Sequence, residues 1–235
     1  PSTGGQILEL DSRAALVNLN ATLARRKEHY HSKIRNAAAS VAEARSIHDI
    51  LVSKVQDPEK HLFYDTHARG SLVDHFFEAG ATLEDVARGW RETGDFTAAR
   101  YRHEIGKKPG RVMVTLIRDG TVGGVPVRVM KEISVDGETP EFQARYTLKS
   151  ERPVETLFGV EFNVALLSPT SPDAEFLGPD QRPVGPLSAQ LSVPGDRLGI
   201  RENWYGLAVE FAVSQETVFW TYPIQTVSQS ENGFE

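Results

Sequence analysis

The chain changes its hydrophobic period near Gly94, from a spacing typical of helices to an alternation typical of strands. Before this glycine, apolar residues recur at steps of three and four, which predicts a helix over about 24–56. A shorter helix is predicted after Thr82, an N-cap residue that Asp85 follows three positions later in a capping-box pattern. Its apolar stripe comprises Leu83, Val86, Ala87 and Trp90. A short strand is predicted at residues 6–10.

Beyond Gly94, apolar and polar residues alternate, which predicts a series of half-buried antiparallel strands. The predicted strands span residues 111–118, 121–135, 141–149, 155–166, 186–193, 197–203, 205–213 and 216–222. Hairpin turns are predicted at Asp119-Gly120 and Asp136-Gly137, and a long Pro- and Ser-rich loop at 168–186. This order predicts a mainly β fold, an antiparallel sandwich forming one domain over residues 1–235, with a helical insertion at about 24–92.

Composition and charge exclude several classes of function. The net charge is −6, and the basic footprint of a nucleic-acid-binding protein is absent. The chain has no cysteine, which removes disulfides, thiolate zinc sites and cysteine nucleophiles. No apolar run approaches the ~20 residues of a transmembrane helix. We therefore expect no nucleic-acid partner, no membrane partner and a cytoplasmic location. A start without Met and a strand-like tail ending at Glu235 indicate part of a longer protein.

Seven histidines invite a metal hypothesis, but their spacing matches no known metal motif such as HExxH. The densest group of acids and histidines comprises Asp65, His67, Asp74 and His75. A hydrogen-bonded loop is the favoured interpretation of this group, and a metal site is the alternative. We expect no metal site and no cofactor.

One strand carries a polar face suited to sugar hydroxyls. In the strand around 157–164, Glu161 and Asn163 point to the same side, and sugars need both donors and acceptors. Trp220 and Tyr222 share a face of another strand, where they could stack on a sugar ring. The alternative is that Glu161 and Asn163 are solvated or tie down a loop, and that Trp220 belongs to the core.

Six sequence blocks occur in an order that resembles the carboxy-terminal domain of α-amylases and 4-α-glucanotransferases of glycoside hydrolase family 57. They are GGQILELD (4–11), NLNATLARRKEHYH (18–31), DTHARGSLVDHFF (65–77), GDFTAARY (94–101), LFGVEFNVALL (157–167) and FWTYPIQTVSQSENGFE (219–235). The blocks extend across nearly the whole chain, and the last is the most specific.

The resemblance implies a galactose-mutarotase-like β-supersandwich. It also implies that the catalytic glutamate and aspartate lie in an amino-terminal (β/α)-barrel absent from this chain, so we expect no catalytic residue here. The implied partners are that barrel and α-glucan or maltooligosaccharide, and the choice between hydrolase and transferase stays open. The candidate glucan-contacting or barrel-contacting residues are Glu161, Asn163, Arg201, Trp204, Trp220 and Glu231. The block residues that could instead be structural ties are Arg26, His31, Arg69 and His75.

Two other functions stay open. A free-standing enzyme of the mutarotase or epimerase type would need a general acid and a general base together on the concave face. Glu161 is a candidate for one of them, but no predicted strand places a histidine beside it. A purely structural assembly module is the third hypothesis, and a large exposed apolar patch would favour it.

Overall fold

The architecture consists of antiparallel strands in two four-stranded sheets and several two-stranded ones. The computed structural model describes residues 3–20, 23–32, 34, 61–166, 168–230 and 233–234. The elements are β1 (Asp11–Ser12), β2 (Val17–Asn18), β3 (Val73–Phe77), α1 (Leu83–Ala87), β4 (Arg102–Lys108), β5 (Arg111–Val122), β6 (Val125–Asp136), β7 (Phe142–Ser150), β8 (Leu157–Glu161), β9 (Ala174–Leu177), β10 (Pro183–Pro186), β11 (Leu191–Glu202), β12 (Leu207–Thr221), β13 (Gln229–Ser230) and β14 (Gly233–Phe234). Because every strand pairing among these residues is antiparallel, the predicted fold class is confirmed.

The first large sheet has the strand order β4-β5-β6-β7. The hairpin predicted at Asp119-Gly120 is wrong, since β5 runs on to Val122 and the chain turns at Gly123 and Gly124. Both of these glycines have positive φ, as a tight hairpin turn requires. The prediction also missed β4, because all seven of its residues are exposed and its sequence shows no alternation.

The second large sheet has the strand order β10-β9-β11-β12. The prediction divided β11 and β12 into four shorter strands, which is wrong. A register shift between Gly195 and Arg197 absorbs the interruption while the pairing of β11 with β12 continues on both sides. The predicted loop at 168–186 also holds β9 and β10, which have only four residues each and are too short to show a period.

The strand that matters for the candidate site is β3, which pairs only with β8 among the named strands of the described chain. All five residues of β3 are buried, so its two faces are both covered. The alternation expected of a half-buried strand is therefore missing, and sequence patterning did not find it. The predicted strand at 155–166 is shorter than expected and ends at Glu161. The predicted strand at 6–10 forms only an isolated bridge between Ile7 and Ser71.

The helix after Thr82 is confirmed, together with its capping box to Asp85. Its predicted apolar stripe is wrong, because the helix ends at Ala87, none of its residues is buried, and Trp90 is 52% exposed. The predicted helix over 24–56 lies mostly outside the described residues. Within them, residues 23–28 have no regular structure, whereas residues 31, 32 and 34 are helical as predicted. No helix in the described ranges has the length and apolar character to cross a membrane.

Contacts divide the chain into two compact units, Pro1–Thr22 with Thr66–Tyr222 and Leu23–Asp65 with Pro223–Glu235. The first unit contains two apolar clusters. One packs β5, β6 and Tyr101 with Phe76 and Phe96, and the other packs residues of β9, β11 and β12. In the second unit, Ile34 and Val227 form a small buried cluster.

Gly120 gives a test of how tightly the first cluster is packed. A Cβ at this position would lie closest to Asp95 Oδ1 and 2.7 Å from the ring of Phe96, so we expect Gly120→Ala to destabilise the fold by about 1–3 kcal/mol. The matched control is Gly106→Ala in β4, where a Cβ meets only ordinary contacts at 3.8 Å. Urea denaturation of both variants measures the difference, and equal midpoints would contradict close packing at Gly120.

Candidate functional site

The side chain of Glu161 is the centre of a buried polar cluster. Its Oε1 accepts hydrogen bonds from Arg69 Nη1 at 2.8 Å and from Asn163 Nδ2 at 2.6 Å. Its Oε2 lies 2.8 Å from His75 Nε2 and 3.4 Å from His67 Nε2, and the second contact lacks the geometry of a hydrogen bond. Only 12% of the Glu161 side chain is exposed. These five residues are called the Glu161 cluster below.

The charges of the cluster reinforce one another. Burial alone raises the pKa of Glu161, but its contacts with His67 and His75 and the positive charge of Arg69 outweigh burial and hold this pKa well below its ordinary value. Burial alone lowers the pKa of His75, yet hydrogen bonds to Glu161 and Glu92 raise it to about 9. Glu161 is therefore a carboxylate at neutral pH, and His75 is held between two carboxylates.

The pairing of β3 with β8 explains how the cluster forms. His75 lies opposite Gly159, and Glu161 lies opposite Val73. Residues two positions apart on paired antiparallel strands share a face and are diagonal neighbours. The expectation that no histidine lies beside Glu161 is therefore wrong, because His75 and Glu161 are 86 positions apart in the sequence and only the strand pairing brings them into contact.

The group of acids and histidines predicted from sequence does not stay together. Asp65 pairs with Arg25 at 2.7 Å within the second compact unit. Asp74 belongs to a separate network inside the first unit, whereas His67 and His75 join the Glu161 cluster. Their proximity in the sequence therefore identified residues that take part in polar contacts, but it did not predict that these residues belong to three separate groups.

The Asp74 network is fully buried. Lys131 Nζ donates to Asp74 Oδ1 at 3.0 Å and to the carbonyl oxygen of Leu72 at 2.6 Å, and both charged side chains are 0% exposed. The hydroxyl of Tyr101 donates to Asp74 Oδ2. Burial lowers the pKa of Lys131, and the charge of Asp74 opposes that shift. Asp74 and His75 are adjacent on β3, so neighbouring residues of one strand belong to different polar networks.

The remaining candidate residues lie on or near β11 and β12. Arg201 pairs with Glu175 on the neighbouring strand β9. Trp204, in the turn between β11 and β12, is 73% exposed. Trp220 is partly buried, and its Nε1 donates to Ser192 at 3.1 Å. Glu231 lies outside the described residues.

A surface concavity of about 440 Å³ lies apart from these residues. Its lining includes Glu78, Arg91, Thr93, Val122 and Glu155, and none of the five candidates that the structure describes lines it. Among the described residues, the strands therefore form an antiparallel β fold whose Glu161 cluster is buried rather than exposed in an open cleft.

Comparison with known proteins identifies the family. The family model for the carboxy-terminal domain of α-amylase/4-α-glucanotransferase matches residues 1–235, and the chain belongs to this family. An α-amylase of Pyrococcus abyssi is 36% identical over 242 residues, which cover 100% of this chain and 33% of that protein. A 4-α-glucanotransferase of Thermococcus kodakarensis is 34% identical over 239 residues, again covering 100% and 33%.

A solved structure agrees with this relationship. The crystal structure of 4-α-glucanotransferase from Thermococcus litoralis matches the whole chain with a TM-score of 0.72 and 28% identity, and the match covers 31% of that protein. The chain thus spans about a third of the length of the curated relatives that it matches.

Proposed function

We propose that this chain is a non-catalytic domain of a cytoplasmic α-glucan-processing enzyme of glycoside hydrolase family 57, with a galactose-mutarotase-like supersandwich fold. The observation that carries the proposal is the coverage of its relatives. Proteins called α-amylase and proteins called 4-α-glucanotransferase both match the full chain over only a third of their own length. A domain that occurs both in α-amylases and in 4-α-glucanotransferases fits a role that does not depend on whether glucan is hydrolysed or transferred. The catalytic residues would then lie in an amino-terminal barrel.

The Glu161 cluster supports a structural role within this domain. Both carboxylate oxygens of Glu161 have partners inside the chain, and the amide of Asn163 also donates to the carbonyl oxygen of Gly70 at 2.7 Å. These polar atoms are occupied without a sugar. We therefore assign Glu161 and Asn163 to holding the loop before β3 against the end of β8, so that the surface presented to the barrel keeps its shape.

Direct contact with α-glucan is proposed for the turn between β11 and β12. Trp204 offers a largely exposed indole ring there, and aromatic faces suit the apolar face of a sugar ring. Arg201, three residues earlier on β11, donates to Glu175 through Nε and Nη2, which leaves its Nη1 for hydroxyl groups. Trp220 fits less well, since its ring nitrogen is already bonded to Ser192.

Calorimetric titration with maltooligosaccharides tests this glucan contact. We expect weak binding that Trp204→Ala abolishes, because the substitution removes the stacking surface. The matched control is Trp90→Ala, which removes another exposed tryptophan in a different part of the first unit. Binding that survives Trp204→Ala, or that Trp90→Ala weakens equally, would contradict the proposed contact. If the folded chain binds no maltooligosaccharide at all, its role is limited to supporting the barrel.

A free-standing mutarotase-like enzyme is the second candidate, because His75 lies 2.8 Å from Glu161. The same geometry argues against it. The carboxylate of Glu161 is occupied by protein groups, and 9% of the His75 side chain is exposed. We expect the chain not to accelerate the interconversion of sugar anomers, which polarimetry of fresh aldose solutions measures. Acceleration that Glu161→Gln abolishes would favour the enzyme.

A further inference from the structure

The structural role proposed for the Glu161 cluster does not explain the environment of the His67 imidazole. Its Nε2 is buried and has no hydrogen-bond partner, although the side chain is only 7% exposed. Buried polar atoms without a partner are rare, since each one has lost its hydration without compensation. The nitrogen lies 3.4 Å from Glu161 Oε2, so this unsatisfied atom is beside the centre of the Glu161 cluster.

Two further donor atoms lie beside this nitrogen. One ligand atom each from His67, His75 and Glu161 lie within 4.8 Å of one another. Two imidazole nitrogens and one carboxylate oxygen are a donor set of mononuclear zinc sites that keep one position open. We propose that these three residues bind a divalent transition-metal ion of the zinc type, and that water or an external ligand completes the coordination.

The spacing reaches that of such an ion once the ligand atoms move, because the two histidine nitrogens lie up to 4.8 Å apart and must approach by up to about 1.4 Å. Zinc bonds of ~2.0–2.1 Å in a tetrahedron place the ligand atoms about 3.4 Å apart. The His67–Glu161 distance of 3.4 Å already has this value. The His75–Glu161 distance of 2.8 Å is that of a hydrogen bond, whose proton the ion replaces. These two atoms must separate by about 0.6 Å to reach the tetrahedral spacing.

The surrounding groups orient the three ligands. His75 Nδ1 lies 2.7 Å from Glu92 Oε2, the carboxylate–histidine–metal arrangement that fixes the tautomer of a metal-binding imidazole. Arg69 and Asn163 bind Glu161 Oε1, which leaves Oε2 directed at the histidines. The cluster thus has the outer layer of hydrogen bonds typical of metal sites.

The donor set also selects among cations. Ca²⁺ and Mg²⁺ favour sites built of six or more oxygen ligands, which this cluster does not offer. Imidazole nitrogen is a good ligand for Zn²⁺, Co²⁺ and Ni²⁺. The site is therefore expected to bind Zn²⁺, Co²⁺ and Ni²⁺, and to show no binding of Ca²⁺ or Mg²⁺ at millimolar concentrations. It is distinct from the surface proposed for α-glucan.

Titration of the chelator-treated chain with Zn²⁺ and Co²⁺ tests the proposal. Calorimetry should give one Zn²⁺ per chain, and bound Co²⁺ should show the intense visible absorption of a four-coordinate ion. His67→Ala should weaken Zn²⁺ binding by about 100-fold or more. Because the His67 ring is largely buried and contacts Glu161, the same variant should also lower the melting temperature of the metal-free protein, so its Zn²⁺ binding is measured below that temperature. The control is His103→Ala, which removes an exposed histidine on β4 and should change nothing.

A second variant acts through the outer layer. Glu92→Gln keeps a side-chain oxygen for the backbone N–H of Phe76 but loses the carboxylate beside His75, and it should weaken Zn²⁺ binding by about 10–100-fold. The proposal is overturned if the folded chain binds neither Zn²⁺ nor Co²⁺ at micromolar concentrations. It is also overturned if His67→Ala binds as tightly as the unaltered chain, or if His103→Ala loses as much affinity as His67→Ala.

Discussion

Replacement of Lys131 by methionine should be among the most destabilising single substitutions in this domain. The change leaves the carboxylate of Asp74 fully buried without its cation, and breaking a buried ion pair costs about 3–5 kcal/mol. Methionine fills a similar volume, so the loss reports charge rather than packing. Urea denaturation monitored by tryptophan fluorescence measures the change in unfolding free energy.

Two further variants separate charge from other causes. Lys149→Met, at an exposed position on β7, should leave the denaturation midpoint unchanged. Adding Asp74→Asn to Lys131→Met should restore part of the lost stability, because the uncompensated charge disappears while an oxygen remains for the Tyr101 hydroxyl. If Asp74→Asn instead destabilises the Lys131→Met protein further, the ion pair is not the reason for the loss.

Replacement of Glu161 by glutamine should have an effect of similar size. The substitution removes the negative charge that faces Arg69 and His75 in a largely buried site, and we expect a loss of about 3–5 kcal/mol. Thermal and urea denaturation in the presence of a chelator measure this loss without any contribution from a bound metal ion.

The matched control uses an exposed ion pair. Glu78→Gln removes the carboxylate that pairs with Arg91 on the surface, and the midpoint should stay unchanged because exposed pairs contribute little. Equal losses for Glu161→Gln and Glu78→Gln would mean that the Glu161 cluster does not hold β3, β8 and the preceding loop together.

The local sequence pattern could predict structural features that depend only on residues close together in the chain. The capping box at Thr82 and the alternation of β7 from Phe142 to Tyr146 follow from residues a few positions apart, and both were found, although Leu148 is exposed. The turn at Gly123 and Gly124 was misplaced because Asp119-Gly120 carries an equally good local signal, and only the register of β5 with β6 decides between them.

The candidate site could be predicted only in part, because it is formed by residues that lie far apart in the sequence. The strand around Glu161 and Asn163 stood out as polar, and the block that holds Arg69 and His75 suggested a structural tie. What could not be predicted is that β3 pairs with β8, because a strand buried on both faces shows no alternation and its partner lies far along the chain. The lack of a hydrogen-bond partner for His67 Nε2 also depends on the folded structure and leaves no sign in the sequence.

The two polar networks that meet on β3 also encode its alignment with β8. A slip of one residue would turn Asp74 towards Glu161 and His75 towards Lys131, because successive side chains point to opposite faces. Asp74 would then meet the carboxylate of Glu161, and Lys131 would face an imidazole instead of the carboxylate that neutralises it. A single inserted or deleted residue in this strand is therefore opposed by one buried repulsion and by one buried cation without its partner, so electrostatics as well as shape favours the observed alignment of β3.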